Sequence, residues 1–380
     1  MYMTKELLRR HFTFRRSNSF FCLRTHCLMK IFLPLAWIYG AVMAVRNWLF
    51  DHGYKPQKSF DLPIISVGNL AVGGTGKTPH TEYLLRLLAD NGRQCTMLSR
   101  GYGRKTSGYH EAKGGKPTDV GDEPWQVHCK FPEVEVCVCE KRVEGIERIL
   151  SKHQPDVILL DDAYQHRYVK PGLSIMLTEY SRPYFSDYVM PAGRLRENRS
   201  GARRANVIIV TKCPNELSAT QIQNFKKGIA PLPHQKVFFT RFDYGVVYPF
   251  GQSTSTTETK TDVNIEGQKI LLLCGIARPK NLIEHLRAKC QSLDVANYRD
   301  HHNFSDKEIE ELGERAKLYD KVITTEKDAA RLASYTLPDS LRERLLVQPI
   351  EVHFINNELQ KFNQIIIDYV TENSRNRSVD

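Results

Sequence analysis

Three groups of side chains in this sequence have the types and spacing for phosphate chemistry. The first is the run Ala71-Val72-Gly73-Gly74-Thr75-Gly76-Lys77-Thr78. Gly73, Gly74 and Gly76 let backbone N–H groups turn inward around an anion. Lys77 can reach β- and γ-phosphates, and the Thr78 hydroxyl can hold Mg²⁺. Ala71 stands where such a loop usually has its first glycine, a tolerated variant. The second group is Asp161-Asp162, at the end of the apolar run Val157-Ile158-Leu159-Leu160. Adjacent carboxylates repel each other, so a cation beside them accounts for the pair. Behind a phosphate-binding loop they have the Walker B pattern, with Asp161 on Mg²⁺ directly or through water and Asp162 as its partner. The third group is basic: Ser99-Arg100-Gly101-Tyr102-Gly103-Arg104, and Arg194, Arg196, Arg199, Arg203 and Arg204, five arginines in eleven residues. Such a run can be a solvated face, but the planar guanidinium fork also suits bidentate phosphate contact.

These groups need elements to position them. Ile64-Ile65-Ser66-Val67 has the composition of a buried strand, and Leu84, Leu85, Leu87 and Leu88 carry a helical pattern after the loop, with Pro79 in the first turn. Strand, glycine-rich loop and helix in that order predict a P-loop, with the helix N-terminus adding its positive dipole end. The chain is therefore expected to bind a nucleoside triphosphate. Thr211-Lys212-Cys213-Pro214 resembles a guanine-reading loop, but Pro214 occupies the place of the guanine-binding aspartate, which favours ATP. Further strands are predicted at 94–98, 134–138, 157–161, 174–177 and 207–210. They alternate with helices at 125–130 and 141–152, so the sheet is mostly parallel. A Ser/Thr-rich stretch at 251–262 marks a boundary. Beyond it come a strand at 270–274, a helix from Asn281, a capping box at Ser305 and Glu308, and a strand at 321–323. A final strand (347–354) and helix (358–370) complete a second, smaller α/β unit.

The net charge of +11 (54 basic against 43 acidic residues) implies an anionic partner without naming it. Nine scattered cysteines, an odd number, do not read as a disulfide framework and fit a reducing, cytoplasmic setting. Cys137 and Cys139 read as alternate faces of one strand. Residues 1–30 carry seven Lys/Arg against the single Glu6, and the uncharged run 31–45 follows. That run is too short to span a bilayer and contains Pro34. A signal peptide competes, but no small-x-small cleavage site follows. Trp37, Tyr39, Trp48 and the basic flanks suit a helix lying in the interface of an anionic membrane; a helix packed on the protein's own core is the alternative. Met29 is a candidate start.

Taken in order, VGNLAVGGTGKTP, SRGYGR, VGDEP, DDAYQHR, PAGRLRE, GIARP, the DHHNFS segment and TTEKDAARL make the chain resemble the tetraacyldisaccharide 4'-kinases of lipid A biosynthesis, from about Leu33 to Val370. Ala163 departs from the glycine common in the family's DDGxQH. The resemblance implies ATP as phosphate donor and a tetraacylated glucosamine disaccharide 1-phosphate as acceptor, a membrane lipid phosphorylated at its 4'-hydroxyl. It implies a P-loop domain, a smaller α/β domain and a β-stranded linker between them. The expected layout is a basic extension (1–30), a membrane-interface helix (31–50), a kinase core (51–240), the linker (241–265), the second domain (266–372) and a polar tail (373–380). It makes Asp122 the general base, assisted by His301 or His302, with Glu123 beside the metal. Arg100, Arg194, Arg196, Glu197 and His166 are expected on the substrate side. The setting implied is the cytoplasmic face of the bacterial inner membrane, against anionic phospholipids and with no nucleic-acid partner. Two other classes compete. A GTPase or metallochaperone switch is disfavoured by Pro214 and the lack of a metal-cysteine motif. A basic nucleic-acid-binding ATPase is disfavoured because no aromatic-plus-basic module is evident.

Overall fold

The structure is a computed structural model that describes residues 31–252, 263–276, 279–299, 302 and 304–375. Helix α1 (Leu33–Asp51) comes first, then β1 (Ile64–Asn69), α2 (Lys77–Asp90), β2 (Cys95–Ser99), β3 (His110–Glu111), α3 (Asp122–Lys130), β4 (Glu135–Val138) and α4 (Arg142–Lys152). The first half closes with β5 (Val157–Asp161), β6 (Leu173–Glu179), β7 (Val207–Thr211), α5 (Ala219–Ile229) and β8 (Lys236–Tyr244). The second half holds β9 (Tyr248–Pro249), β10 (Lys269–Cys274), α6 (Lys280–Arg287), β11 (Ser292–Asn297) and α7 (Asp306–Ala316). It ends with β12 (Lys321–Thr325), α8 (Glu326–Leu332), β13 (Leu345–Gln348), β14 (Ile350–Phe354) and α9 (Leu359–Arg375).

Two sheets result. The larger has nine strands in the order β14-β8-β7-β6-β1-β5-β2-β4-β3, parallel except at its two edges. Its strands are buried on both faces, which is why they read as continuous Val/Ile/Leu runs. Ile65, Val67, Leu159 and Ile209 face α2, α3 and α9, while Ile64, Ile158 and Leu160 face α4. The strand order turns around β1, which pairs with β6 on one side and β5 on the other. Open α/β sheets bind ligands at such a switch point, outside the carboxyl ends of the strands. The smaller sheet has five strands in the order β11-β10-β12-β13-β9, with only β9 antiparallel.

The chain crosses between the sheets twice, outward from β8 to β9 and back from β13 to β14. This corrects the expected boundaries. The predicted strand 347–354 is two strands in different sheets, because Pro349 lacks the N–H a continuous ladder needs. β14 pairs antiparallel with β8, so the closing strand belongs to the larger sheet. Helix α9 follows it there, with Phe362, Ile366 and Val370 buried in the core of the first sheet. Each such side chain contributes about 2 kcal/mol on burial, enough to hold the helix to that sheet. The expected tail from residue 373 begins inside the helix, and the Ser/Thr-rich tip at 253–262 lies outside the described residues.

Helix α1 packs by its small and polar side. Ala36, Gly40 and Phe50 are buried, while Trp37 (71% exposed), Ile38, Val42, Val45 and Trp48 face outward. Among the described residues no helix is long and apolar enough to cross a membrane.

Candidate active site

The loop after β1 is built to hold one shape. Gly73 and Gly76 take φ of +107° and +89°, the left-handed region that glycine enters at no steric cost. At Gly76 the need is double, since an added Cβ would come within 2.5 Å of the Phe242 ring. Four side chains brace the loop from outside. Asn69 donates to the Thr75 hydroxyl at 2.6 Å, and Thr211 donates to the Thr75 carbonyl at 2.8 Å. Lys212 reaches the Gly74 carbonyl at 2.5 Å, and His80 Nδ1 lies 2.7 Å from the Gly76 carbonyl. Burial pushes the His80 pKa down to about 4, so the ring is neutral and Nδ1 donates. Its Nε2 then accepts from Thr240 at 3.0 Å. Lys77 and Thr78 follow at the first turn of α2. Ala71 pairs with Leu195 in an antiparallel bridge, and Val72 N–H donates to the Arg194 carbonyl at 2.8 Å.

β5 delivers Asp161 opposite Val67 of β1. Asp161 is buried and accepts from Thr81 of α2 at 3.1 Å. Burial, followed by the nearby Glu123 and Asp162 charges, raises its pKa to about 7 against the opposing pull of Lys77. Asp162 takes φ of +45° and turns toward solvent, where it meets Lys77 at 3.7 Å and Arg196 at 3.1 Å. Ala163 is not among the residues of positive φ, so its methyl group costs the loop nothing in backbone strain. Buried Arg142, at the start of α4, lies close enough to Asp161 and Asp162 for their charges to act on it.

Asp122 is the first residue of α3, displayed by Gly121 at φ of +93°. A Cβ on Gly121 would meet the Tyr102 carbonyl at 2.6 Å, so the SRGYGR and VGDEP segments need each other. Asp122 lines a cavity of about 740 Å³ with Tyr102, Lys105, Trp125, Arg331 and Tyr335. Its Oδ2 accepts from Arg331 Nε and Nη2 at 3.0 and 2.8 Å, across 209 residues of sequence. Glu123 is exposed beside it.

Of the two histidines of the DHH segment, His302 is the one described. His302 Nε2 lies 3.0 Å from Glu308 Oε1, and its ring sits 4.8 Å from Tyr298 and 5.0 Å from Phe304. It is therefore held within the second unit. His301 lies outside the described residues.

The expected substrate residues also divide. Arg100 is exposed at the end of β2. Arg196 pairs with Asp162, and its carbonyl accepts from Tyr39 of α1 at 2.9 Å. Arg194 lies between Glu179 and Asp187, with Nη1 3.7 Å from a Cβ built on Gly73, so it borders the P-loop. Glu197 is deeply buried. It is 1% exposed, and its carboxylate takes hydrogen bonds from Asn47 of α1 (2.6 Å), Gln165 (3.1 Å) and Arg204 (2.8 Å). These bonds tie α1 to the segment that carries Arg196. His166 is half-buried, and its pKa is pushed down to about 4 by burial and by Arg142, Arg46 and Arg100. It lines a separate cavity of about 350 Å³ with Gln57, Tyr164, Arg167 and Arg204.

A family model described as "Tetraacyldisaccharide-1-P 4'-kinase" matches residues 28–371. The chain belongs to the tetraacyldisaccharide 4'-kinase family. It is 46% identical to the tetraacyldisaccharide 4'-kinase of Bacteroides thetaiotaomicron, over 92% of this chain and 95% of that one. The kinase of the same name from Flavobacterium johnsoniae is 45% identical over 91% of this chain and 98% of that one. Among solved structures, the "apo" form of LpxK from Aquifex aeolicus in complex with ATP superposes with a TM-score of 0.70 at 26% identity. The match covers 90% of this chain and 99% of the other. Within this kinase, four functional supports went unpredicted: Asn69, His80, Arg142 and Arg331. Only Arg331 had a signal, the Asp328/Arg331 spacing of one helical turn in TTEKDAARL.

Proposed function

We propose that the P-loop and the carboxylates around it form the donor side of a phosphoryl-transfer site, and that Asp122 opens the acceptor side. As a tetraacyldisaccharide 4'-kinase, the chain is an ATP-dependent enzyme that phosphorylates the 4'-position of a lipid A precursor disaccharide. The observation that carries the site reading is the gathering of Asp161, Asp162 and Glu123 around Lys77 at the mouth of the P-loop. The like charges of Asp162 and Glu123 beside buried Asp161 are what a cation at that carboxylate would relieve, in addition to Lys77, Arg196 and Arg142 already nearby. Among the described residues no three His, Cys, Asp or Glu side chains form a ready-made metal cage. That suits Mg²⁺, which usually takes one or two carboxylates with water and phosphate oxygens. Thr78, Asp161 and Asp162, with Glu123 beside them, would hold the ion. When bound, Mg²⁺ neutralises charge on the β- and γ-phosphates.

Loop N–H groups and Lys77 orient the triphosphate, while Lys212 and Arg194 border its outer side. Asp122 accepts the proton of the 4'-hydroxyl as that oxygen bonds to the γ-phosphorus. The bridging P–O bond then breaks and ADP leaves. His301, rather than the engaged His302, is the histidine assigned to assist Asp122. Arg100 and Arg196 remain on the substrate side. The test is to incubate the chain with γ-labelled ATP and acylated glucosamine disaccharide 1-phosphate. A labelled bisphosphorylated lipid that appears only with Mg²⁺ is the expected product; label released only as inorganic phosphate would overturn the reading.

The outward apolar side of α1 is assigned to the interface of an anionic membrane, on the cytoplasmic face where ATP is supplied. No nucleic-acid partner belongs to this reading. Since Tyr39 and Asn47 tie α1 to Arg196 and Glu197, substitution tests this better than deletion. Trp37→Ser with Ile38→Ser is expected to cut co-sedimentation with anionic phospholipid vesicles several-fold; unchanged sedimentation would sink the assignment.

A further inference from the structure

TTEKDAARL takes no part in phosphate binding, yet it is where the second unit meets the first. Thr325 caps α8, with its hydroxyl oxygen 3.2 Å from the Asp328 amide. Asp328, 1% exposed, takes hydrogen bonds on Oδ2 from the Thr325 hydroxyl and the Gly275 N–H, each at 2.8 Å. Its Oδ1 accepts from Arg331 Nη1 at 3.0 Å. The guanidinium, 6% exposed, is thereby fixed in plane. Nε and Nη2, on its other edge, both meet Oδ2 of Asp122. At the far end of α3, Lys130 is buried between Glu326 of α8 and Glu82 of α2, the latter at 2.5 Å. Helix α8 thus grips α3 at both ends, and the Lys130 end reaches the helix that carries the P-loop.

The two contacts differ in what they can do. Lys130 and Glu326 join the units but lie two helical turns from Asp122. Arg331 touches the carboxylate itself. Two donors on one oxygen, from a guanidinium held by a buried aspartate, fix the rotation of the Asp122 carboxylate as well as its charge. A base must offer its lone pair along the O–H direction of the acceptor, so a swivelling carboxylate loses rate without losing nucleotide affinity. We propose that Arg331 is a positioning residue for the transfer reaction, through which the second unit sets the direction in which Asp122 meets the acceptor hydroxyl. The inference rests on Asp122 being the base.

The test compares Arg331→Met, Arg331→Lys, Glu326→Gln and Asp122→Asn in steady-state kinetics with both substrates, alongside thermal unfolding. Arg331→Met is expected to lower kcat on the order of 30-fold with KM for ATP unchanged within about twofold. Arg331→Lys, which keeps the charge but not the fork, is expected to recover about fivefold of that loss. Glu326→Gln is expected to lower Tm while kcat stays within about threefold. An Arg331→Met enzyme with wild-type kcat overturns the inference. So does one whose kcat, ATP KM and Tm change together as they do in Glu326→Gln, which would make Arg331 a docking contact only. Should Arg331→Met fail to fold, Arg331→Lys decides alone, and undiminished kcat overturns the proposal. If Asp122→Asn itself turns over normally, the base assignment fails. If Asp122→Asn is inactive and Arg331→Met is normal, only the positioning role fails.

Discussion

The proposed donor and acceptor halves of the site are built in opposite ways. The donor half is one continuous run of eight residues, Ala71 to Thr78, from the loop after β1 into the first turn of α2, braced by neighbours in or beside the same sheet such as Asn69, Thr211 and Lys212. The acceptor half is gathered from distant segments. Asp122 is placed by Gly121 and the Tyr102 loop and held by Arg331 from the second unit, while Arg196, on the proposed substrate side, is tied to α1 through Tyr39. A triphosphate has the same shape in every enzyme that binds it, so a compact rigid loop suffices. A 4'-hydroxyl on a lipid must be met wherever the membrane presents it, which calls for parts from several elements.

The contrast predicts separable kinetics. Asp122→Ala is expected to cut kcat on the order of 10³-fold while leaving ATP affinity within about threefold. Lys77→Met should lower kcat comparably and weaken ATP as well. If Asp122→Ala weakened ATP as much as Lys77→Met does, in equilibrium binding by calorimetry, the two halves would not be separate.

Gly76→Ala tests how rigid the donor half is. Its methyl must enter the left-handed region and displace Phe242, for a cost of about 2–4 kcal/mol. The expected result is a loss of ATP affinity of tenfold or more, with lowered Tm. Near-normal ATP binding would show a loop that can adapt.

His80 gives the smallest effect, and a pH-dependent one. Its folded pKa of about 4 lies below the 6.5 of the unfolded chain, so between pH 6.5 and 4 the unfolded state binds the proton first. Stability contributed by neutral His80 is intact above pH 6.5 and falls by about 3 kcal/mol as pH drops to 4. His80→Leu should remove that part of the slope in denaturant melts across this range. An unchanged slope would mean that His80 takes up a proton without cost.

How legible each half was follows from the same contrast. The P-loop, the parallel strands β1, β2, β4, β5, β6 and β7 and Asp161 could be read directly, because buried parallel strands are apolar runs and phosphate loops are contiguous. β3 and β8, half-buried and nearer the edges, were not predicted. β11 was missed because, on an exposed edge, it carries no such pattern. Pro349 did mark a break, but that β14 joins the larger sheet depended on β8, more than a hundred residues away. Glu197 looked like a substrate residue because its motif is polar; its burial is decided by Asn47 and Arg204 packing over it.

By itself, the sequence determined that this chain carries a glycine loop of phosphate-binding type on a parallel sheet, with Asp161 beside the loop and a second α/β unit to follow. Tertiary structure alone decided that α9 returns to the first sheet, that His302 is held by Glu308, and that Asp122 is gripped by Arg331. The physical reason is range. Backbone conformation and hydrophobic period act over a few residues and leave their mark in the sequence. An ion pair between residues 122 and 331 depends on two sheets docking, and neither residue type announces its partner.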